Sequence, residues 1–374
     1  MRRVFFWAHF AMGLAAGVFV LLMSVTGVLL TYERQMVSAA QNAAVEVPAE
    51  GEPLSVEALS EAALAAGGAP GNTLTIQRNP AHVATLSKGR RDNALLDPYT
   101  GEVIEHAGEG MEAFFGRVMR IHRWLAFTGG RNDLGAAING AANLIFGALL
   151  ISGVILWWPR RWKWPLVKTL LFFRRGLPNA KARHYNWHHV LAVWSFVPLF
   201  LIIVSGAVFS YSWANKLVYA AFGETPGGQG RGQAAAAASP PPELAGGVLP
   251  LDPLVEQATK SFGNWRRVTI TLPEPDASTL DVTVDWGNGI QSSKTRNLTL
   301  ARDGSGLIGE PVGDVSSPAL KMRRYLRFVH TGEIYGFIGQ TLAGLASIAA
   351  IILVYTGISL AIRRLLRMKR AARP

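Results

Sequence analysis

The chain has 374 residues, 49% of them hydrophobic and only 17% charged, with a formal net charge of +12. A soluble protein of this length carries more charge, spread more evenly, so the composition points to the membrane. Cysteine is absent, which excludes disulfides, cysteine-ligated iron–sulfur clusters, thiol catalysis and C-x-x-C-H haem attachment.

In chain order, residues 1–32 are predicted to form a first transmembrane helix. Its apolar run, 10–30, exceeds the ~7–15 residues of a signal-peptide core and lacks a small-x-small cleavage site. Residues 33–110 hold an amphipathic helix at 54–66, then the strand candidates "TLTIQR", "HVATLS" and "NALLDPYTGEVI", which read as a small α+β domain. Residues 111–158 supply a helix and a second span, with its apolar run at 134–158. Loop 159–183 is basic, and Trp157, Trp158, Trp162 and Trp164 form an interfacial aromatic belt beside it. The third span lies within 184–215. Residues 216–325 open with a low-complexity linker, "ETPGGQGRGQAAAAASPPPELAGGVLP". A second α+β domain follows, with the helix "LDPLVEQATKSF" and the strands "RRVTITLP", "TLDVTVDW" and "RNLTLARDGSGLIGE". Residues 326–362 hold a lead-in and the fourth span, and 363–374 form a basic tail. Each apolar run exceeds the roughly 20 residues that cross a ~30 Å hydrocarbon core as helix.

Charge orients these spans. Arg2, Arg3, loop 159–183 and tail 363–374 hold 16 basic residues and no acidic one, whereas the remainder holds 21 basic and 25 acidic. By the positive-inside rule both termini and the basic loop are cytoplasmic, and the α+β domains lie outside. The basic excess therefore reports topology, and no nucleic-acid partner is expected; the membrane lipid is the partner the spans imply.

The chain is also written twice. Seventeen residues separate His9 from Thr26-Gly27 and His188 from Ser205-Gly206, while His122 precedes Ser152-Gly153 and His330 precedes Thr356-Gly357. Topology puts His9 and His188 at the cytoplasmic ends of spans one and three, and His122 and His330 outside, before spans two and four. Facing imidazoles complete the axial positions of a b-type haem, so two haems are expected, an inner one on His9 and His188 and an outer one on His122 and His330. The small residues Gly13, Ala16, Gly17, Ser24, Gly27, Ala192 and Gly206 leave room for a macrocycle, although helix packing accounts for them equally well. His184 and His189 read as interfacial, or His184 with His188 as a zinc-type H-x-x-x-H. His82 and His106 read as surface residues. Outside, Arg117, Arg120, Arg123, Lys321, Arg323, Arg324 and Arg327 crowd the outer histidines, suiting haem propionates, an anionic substrate or lipid headgroups.

The stretches "AHFAMGLAAG", "RIHRWLAF", "NWHHVLAVW" and "FVHTGEIYG", with "SVTGVLL", "LISGVILWWPRR", "LVYTGISLAIRR" and "LDPYTGEVI", resemble the PepSY-associated transmembrane proteins over nearly the whole chain. That family includes inner-membrane ferric-siderophore reductases. The resemblance implies four transmembrane helices, two periplasmic PepSY-like domains, haem b on His9, His122, His188 and His330, and reduction of ferric siderophore in the periplasm. Phe10 and His189 stand where the family often has a basic residue. The electron donor is open between a quinol and a cytoplasmic reductase. Two other classes compete: a siderophore or solute transporter, and a non-enzymatic module whose outer domains bind an envelope peptidase. Against the transporter, no span carries a midplane charge and only four helices are available; the binding module leaves the paired histidines idle.

Overall fold

The structure, a computed structural model, describes residues 1–89, 92–127, 134–227, 247–314 and 316–371. The middle of the linker (228–246) and the last three residues of the tail lie outside the described residues. The elements are α1 (Arg2–Leu30), α2 (Glu33–Asn42), α3 (Val56–Ala65), β1 (Thr73–Gln77), β2 (Ala84–Ser87), β3 (Asn93–Leu96), α4 (Glu109–Trp124), α5 (Leu134–Trp157), α6 (Trp164–Leu171), α7 (Ala180–Ser210), α8 (Ser212–Ala220), α9 (Leu251–Lys260), β4 (Arg267–Thr271), β5 (Thr279–Asp285), β6 (Thr295–Ala301), α10 (Pro318–Thr331) and α11 (Gly336–Ala371). They form two compact units: a helical one from Met1–Glu33, Phe114–Pro226 and the chain from Pro318, and a sheet unit from Arg34–Ala113 and Gly227–Ser317.

In the helical unit α1, α5, α7 and α11 are long and apolar enough to cross a membrane. Helix α1 packs on α5 and α11, and α7 packs on the same two, so the four close a ring with α1 and α7 across one diagonal. Lipid offers no hydrophobic gain for association, so close van der Waals packing must hold the ring. Gly13 faces Leu149, Gly17 faces Val354 and Ile358, and Gly147 faces Ile203. Leu150, Leu199, Ile203, Ala346, Ala350 and Leu353 fill the centre. These small residues on α1 therefore serve helix packing, the plainer of the two sequence readings.

The helix ends have specific partners. Arg2 donates to the carbonyls of Ile155, Leu156 and Trp158, capping α5. Asn179 caps α7 by accepting from the Ala182 amide at 2.9 Å. Helix α7 thus starts inside the stretch read as loop 159–183, and that stretch also contains α6. Buried Asn186 ties the segment down: its amide donates to the carbonyls of Thr169 and Phe172, and its oxygen accepts from Arg174 N. Near the start of α5 and of α11 a glycine of the span lies against a carbonyl: a Cβ on Gly135 would fall 2.0 Å from Trp124 O, at the end of α4, and one on Gly339 would fall 2.2 Å from Gly332 O, just after α10.

In the sheet unit the two α+β segments do not stand as separate domains. They share one antiparallel sheet of order β3-β2-β1-β4-β5-β6. A three-stranded half would leave the edge of β1 or β4 unpaired, and joining the two removes both edges. The seam is symmetric about Thr75↔Thr269, whose hydroxyls hydrogen-bond at 2.8 Å. The covering helices cap one another. Asp252 of α9 accepts from the amides of Val56 and Glu57, and Glu57 of α3 accepts from the Leu251 amide. Alternation along the strands sends Leu74, Leu86, Val268, Ile270, Leu280, Val282, Leu298 and Leu300 into a single core with Leu59, Leu254 and Val255.

Leu74 is fully buried at the seam, whereas Thr73 beside it points to the opposite face. Leu74→Ala is expected to lower the opening free energy of β1 and β4 by about 2–5 kcal/mol, and Thr73→Ala by under about 0.5 kcal/mol. Hydrogen exchange of the strand amides in the intact protein reads both.

Candidate functional site

Four histidines are held in one way. His9 Nδ1 meets Ser152 Oγ at 2.9 Å, His122 Nδ1 meets Thr26 Oγ1 at 2.8 Å, His188 Nδ1 meets Thr356 Oγ1 at 3.0 Å, and His330 Nδ1 meets Ser205 Oγ at 3.1 Å. Each hydroxyl gives its own hydrogen to the carbonyl four residues earlier in its helix: Ser152 to Ala148, Thr26 to Leu22, Thr356 to Ile352 and Ser205 to Leu201. The hydroxyl oxygen is then free only to accept, so Nδ1 carries the hydrogen. A carbonyl three residues before each hydroxyl also faces the ring: Leu149 for His9, Met23 for His122, Leu353 for His188 and Ile202 for His330. A carbonyl can only accept, which fixes the same tautomer. In the neutral form of each ring Nε2 then keeps its lone pair.

A glycine follows every docking hydroxyl. Added Cβ atoms would lie 3.7 Å from the Cε1 of His9 at Gly153, 3.7 Å from that of His122 at Gly27, 3.4 Å from that of His330 at Gly206 and 3.3 Å from that of His188 at Gly357. At Gly206 and Gly357 a Cβ would crowd the ring, whereas at Gly153 and Gly27 it would make ordinary contact. In the sequence these Ser/Thr-Gly pairs mark the repeat; their role is visible only once neighbouring helices are known.

The docked rings meet in two pairs. His9 and His188 have centroids 6.4 Å apart with planes at 85°. His122 and His330 are also 6.4 Å apart, at 70°. A metal bound about 2 Å from each of two imidazole nitrogens, with roughly 1 Å more to each ring centre, requires centroids about 6 Å apart. Both pairs thus have the spacing and the neutral, acceptor Nε2 atoms that a bis-imidazole haem iron needs. The donor set fits haem. Among the described residues no group of three or more His, Asp or Glu could hold a metal ion, so the zinc-type alternative lacks ligands.

Charge at the second pair is uneven. Burial, then the facing His330 ring, lowers the His122 pKa to about 4, and the Arg123 charge adds in the same direction. Burial also lowers that of His330, against its bond to the Ile202 carbonyl, and Arg123 again adds. Arg123 therefore sits within electrostatic reach of both rings, and its guanidinium lies 4.9 Å from the Trp124 ring centre. The other arginines are spread along α4 and α10: Arg117 and Arg120 are exposed, Arg323 donates to Asn215, Arg324 is half-buried and Arg327 stacks on Phe328.

Three further residues shape the surroundings. Asn139 donates to the His122 carbonyl at 2.7 Å, holding the end of α4 where Leu125 and Ala126 take positive φ. Asn143 donates to the Ile203 carbonyl beside Gly206. His184 meets Ser359 Oγ at 2.9 Å, one turn from His188. His106 pairs with Glu109 on the surface, as a surface histidine should.

The PepSY-associated TM region matches residues 6–364. No curated protein matches the sequence. Four apolar helices and a family match covering almost all of the chain make this a membrane protein, and it belongs to the PepSY-associated TM region family.

Proposed function

We propose that this protein is a di-haem b reductase of the bacterial inner membrane, passing electrons from the cytoplasmic side or the quinol pool to ferric siderophore in the periplasm and releasing Fe(II). The observation that carries the reading is the fourfold docking of Nδ1–H, which turns two facing histidine pairs into neutral ligands of one tautomer. When bound, haem supplies the one-electron chemistry. His9 and His188 hold the inner group, His122 and His330 the outer one. Ser152, Thr356, Thr26 and Ser205 fix ring orientation and raise ligand basicity through the Nδ1 bond. The single bundle supports both pairs at opposite ends, because each of α1 and α7 carries a histidine at one end and a docking hydroxyl about 25 Å further along. Arg123 places positive charge beside the outer pair, where it meets a haem propionate or an anionic iron complex. Fe(II) has less charge than Fe(III) and holds hard oxygen ligands less tightly, so reduction releases it.

Purified protein is expected to carry about two b-type haems per chain. His9→Ala or His188→Ala should remove one and His122→Ala or His330→Ala the other, read from dithionite-reduced visible spectra. Absence of haem in cells that supply it overturns the reading and leaves the transporter or the peptidase-binding module. Ser152→Ala with Thr356→Ala should retain both haems while moving the midpoint potential of the inner one alone, measured by redox titration. Orientation is checked with the cysteine-free chain itself. Asp276→Cys should react with an impermeant maleimide in spheroplasts, and Arg175→Cys only after lysis.

A further inference from the structure

The two halves of the bundle share the inner histidines and their docking hydroxyls but differ in the side chains around them, and three of those differences lie together. Counting from the His9/His188 and Ser152/Thr356 equivalences, His184 corresponds to Phe5, Tyr355 to Ile151 and Ser359 to Ile155. Three apolar positions in the first half are all polar in the second, and the three polar side chains converge. His184 Nδ1 lies 2.9 Å from Ser359 Oγ, and its ring packs against Tyr355 with centroids 5.3 Å apart. Tyr355 is 62% exposed, while His184, against which its ring packs, is 7% exposed. Leu360 follows Ser359 where glycine follows the four docking hydroxyls, so this fifth histidine has a different setting from the haem-type seats. With Nδ1 turned to Ser359, Nε2 is the ring nitrogen available to a ligand, and no hydrogen bond engages it among the described residues.

We propose that the α7–α11 face formed by His184, Tyr355 and Ser359 is a quinol-docking site that feeds the His9–His188 pair. The ligand class follows from the setting. A lipid-facing phenol over a histidine at the end of a span suits an apolar ring that carries hydroxyls, and His188, one turn away, gives its electrons a destination. The quinol hydroxyl donates to His184 Nε2, Ser359 fixes the ring, and the Tyr355 hydroxyl meets the other quinol oxygen. On oxidation both quinol O–H bonds break and the ring loses two electrons. A haem held by His9 and His188 would take the two electrons one at a time, and both protons reach water at the bundle end, the first by way of His184. Arg183 and Arg363 lie near this histidine at that end. The proposal rests on the haem reading for its electron acceptor but not for its binding site.

The test uses the full-length protein in nanodiscs, photolabelled with azido derivatives of a benzoquinone and a naphthoquinone and mapped by mass spectrometry. Label is expected on the peptides carrying His184 or Tyr355. His184→Phe and the milder Tyr355→Phe should each lose it, and His184→Gln, which keeps an acceptor, should retain it. In haem-loaded protein the same two variants should slow reduction by duroquinol at least tenfold while dithionite still reduces both haems fully. Label mapping elsewhere, or unchanged labelling in both variants, overturns the site. A haem-free preparation that still labels at His184 would sink the reductase reading and leave the quinol site standing.

Discussion

An imidazole inside an apolar bundle must commit its Nδ1 hydrogen to a protein acceptor, because no water is there to take it. That need organises the helical unit. The acceptor is a serine or threonine whose own hydrogen is already held by its helix, and the residue after it is a glycine that lies beside the ring. The histidine therefore comes from one helix and its seat from the next. A histidine pair joins two helices directly and two more through their seats. The contacts at Gly135 and Gly339 hold the ends of α4 and α10 against the bundle, where His122 and His330 reach seats on α1 and α7. Ligand geometry and helix packing are thus one set of contacts, and a change at Ser152 or Gly357 acts on both.

Repetition does the same work in the sheet unit by different means. There the two halves meet along β1 and β4, with the Thr75–Thr269 hydroxyls at the centre and the first-turn carboxylates of α3 and α9 exchanged. Each half supplies the other with an edge partner and with a carboxylate for the first-turn amides of its helix. Among the positions where the halves of the bundle differ, His184, Tyr355 and Ser359 are polar in one half, apolar in the other, and clustered.

Much of this was legible in the residues. The spans announce themselves by uninterrupted apolar runs, and most strands appear within a residue or two of their alternating stretches. The grouping of His9 with His188 and His122 with His330 came from repeat spacing and charge, and the structure brings the same residues together. The shared sheet was not legible, because periodicity tells which face of a strand is buried and not which strand lies beside it. The start of α7 was obscured by its basic first turn, although Asn179 is an N-cap residue. The Ser/Thr-Gly pairs were visible as repeat marks, but their task depends on neighbours some 100–180 residues away in sequence. The same distance hid the Ser359 partner of His184.

The seam between β1 and β4 also sets an order of events during synthesis. Its central partners are 194 residues apart, with two helices of the bundle, α5 and α7, between them. At about 5–20 residues per second, β1 waits roughly 10–40 s for its neighbour. Through that interval the first half carries a bare strand edge, and its helix α3 lacks the Asp252 cap. A nascent chain in this state can pair wrongly with another copy of itself, so the polar side chains of Thr73, Thr75 and Gln77 along that strand also serve as protection before the fold is complete.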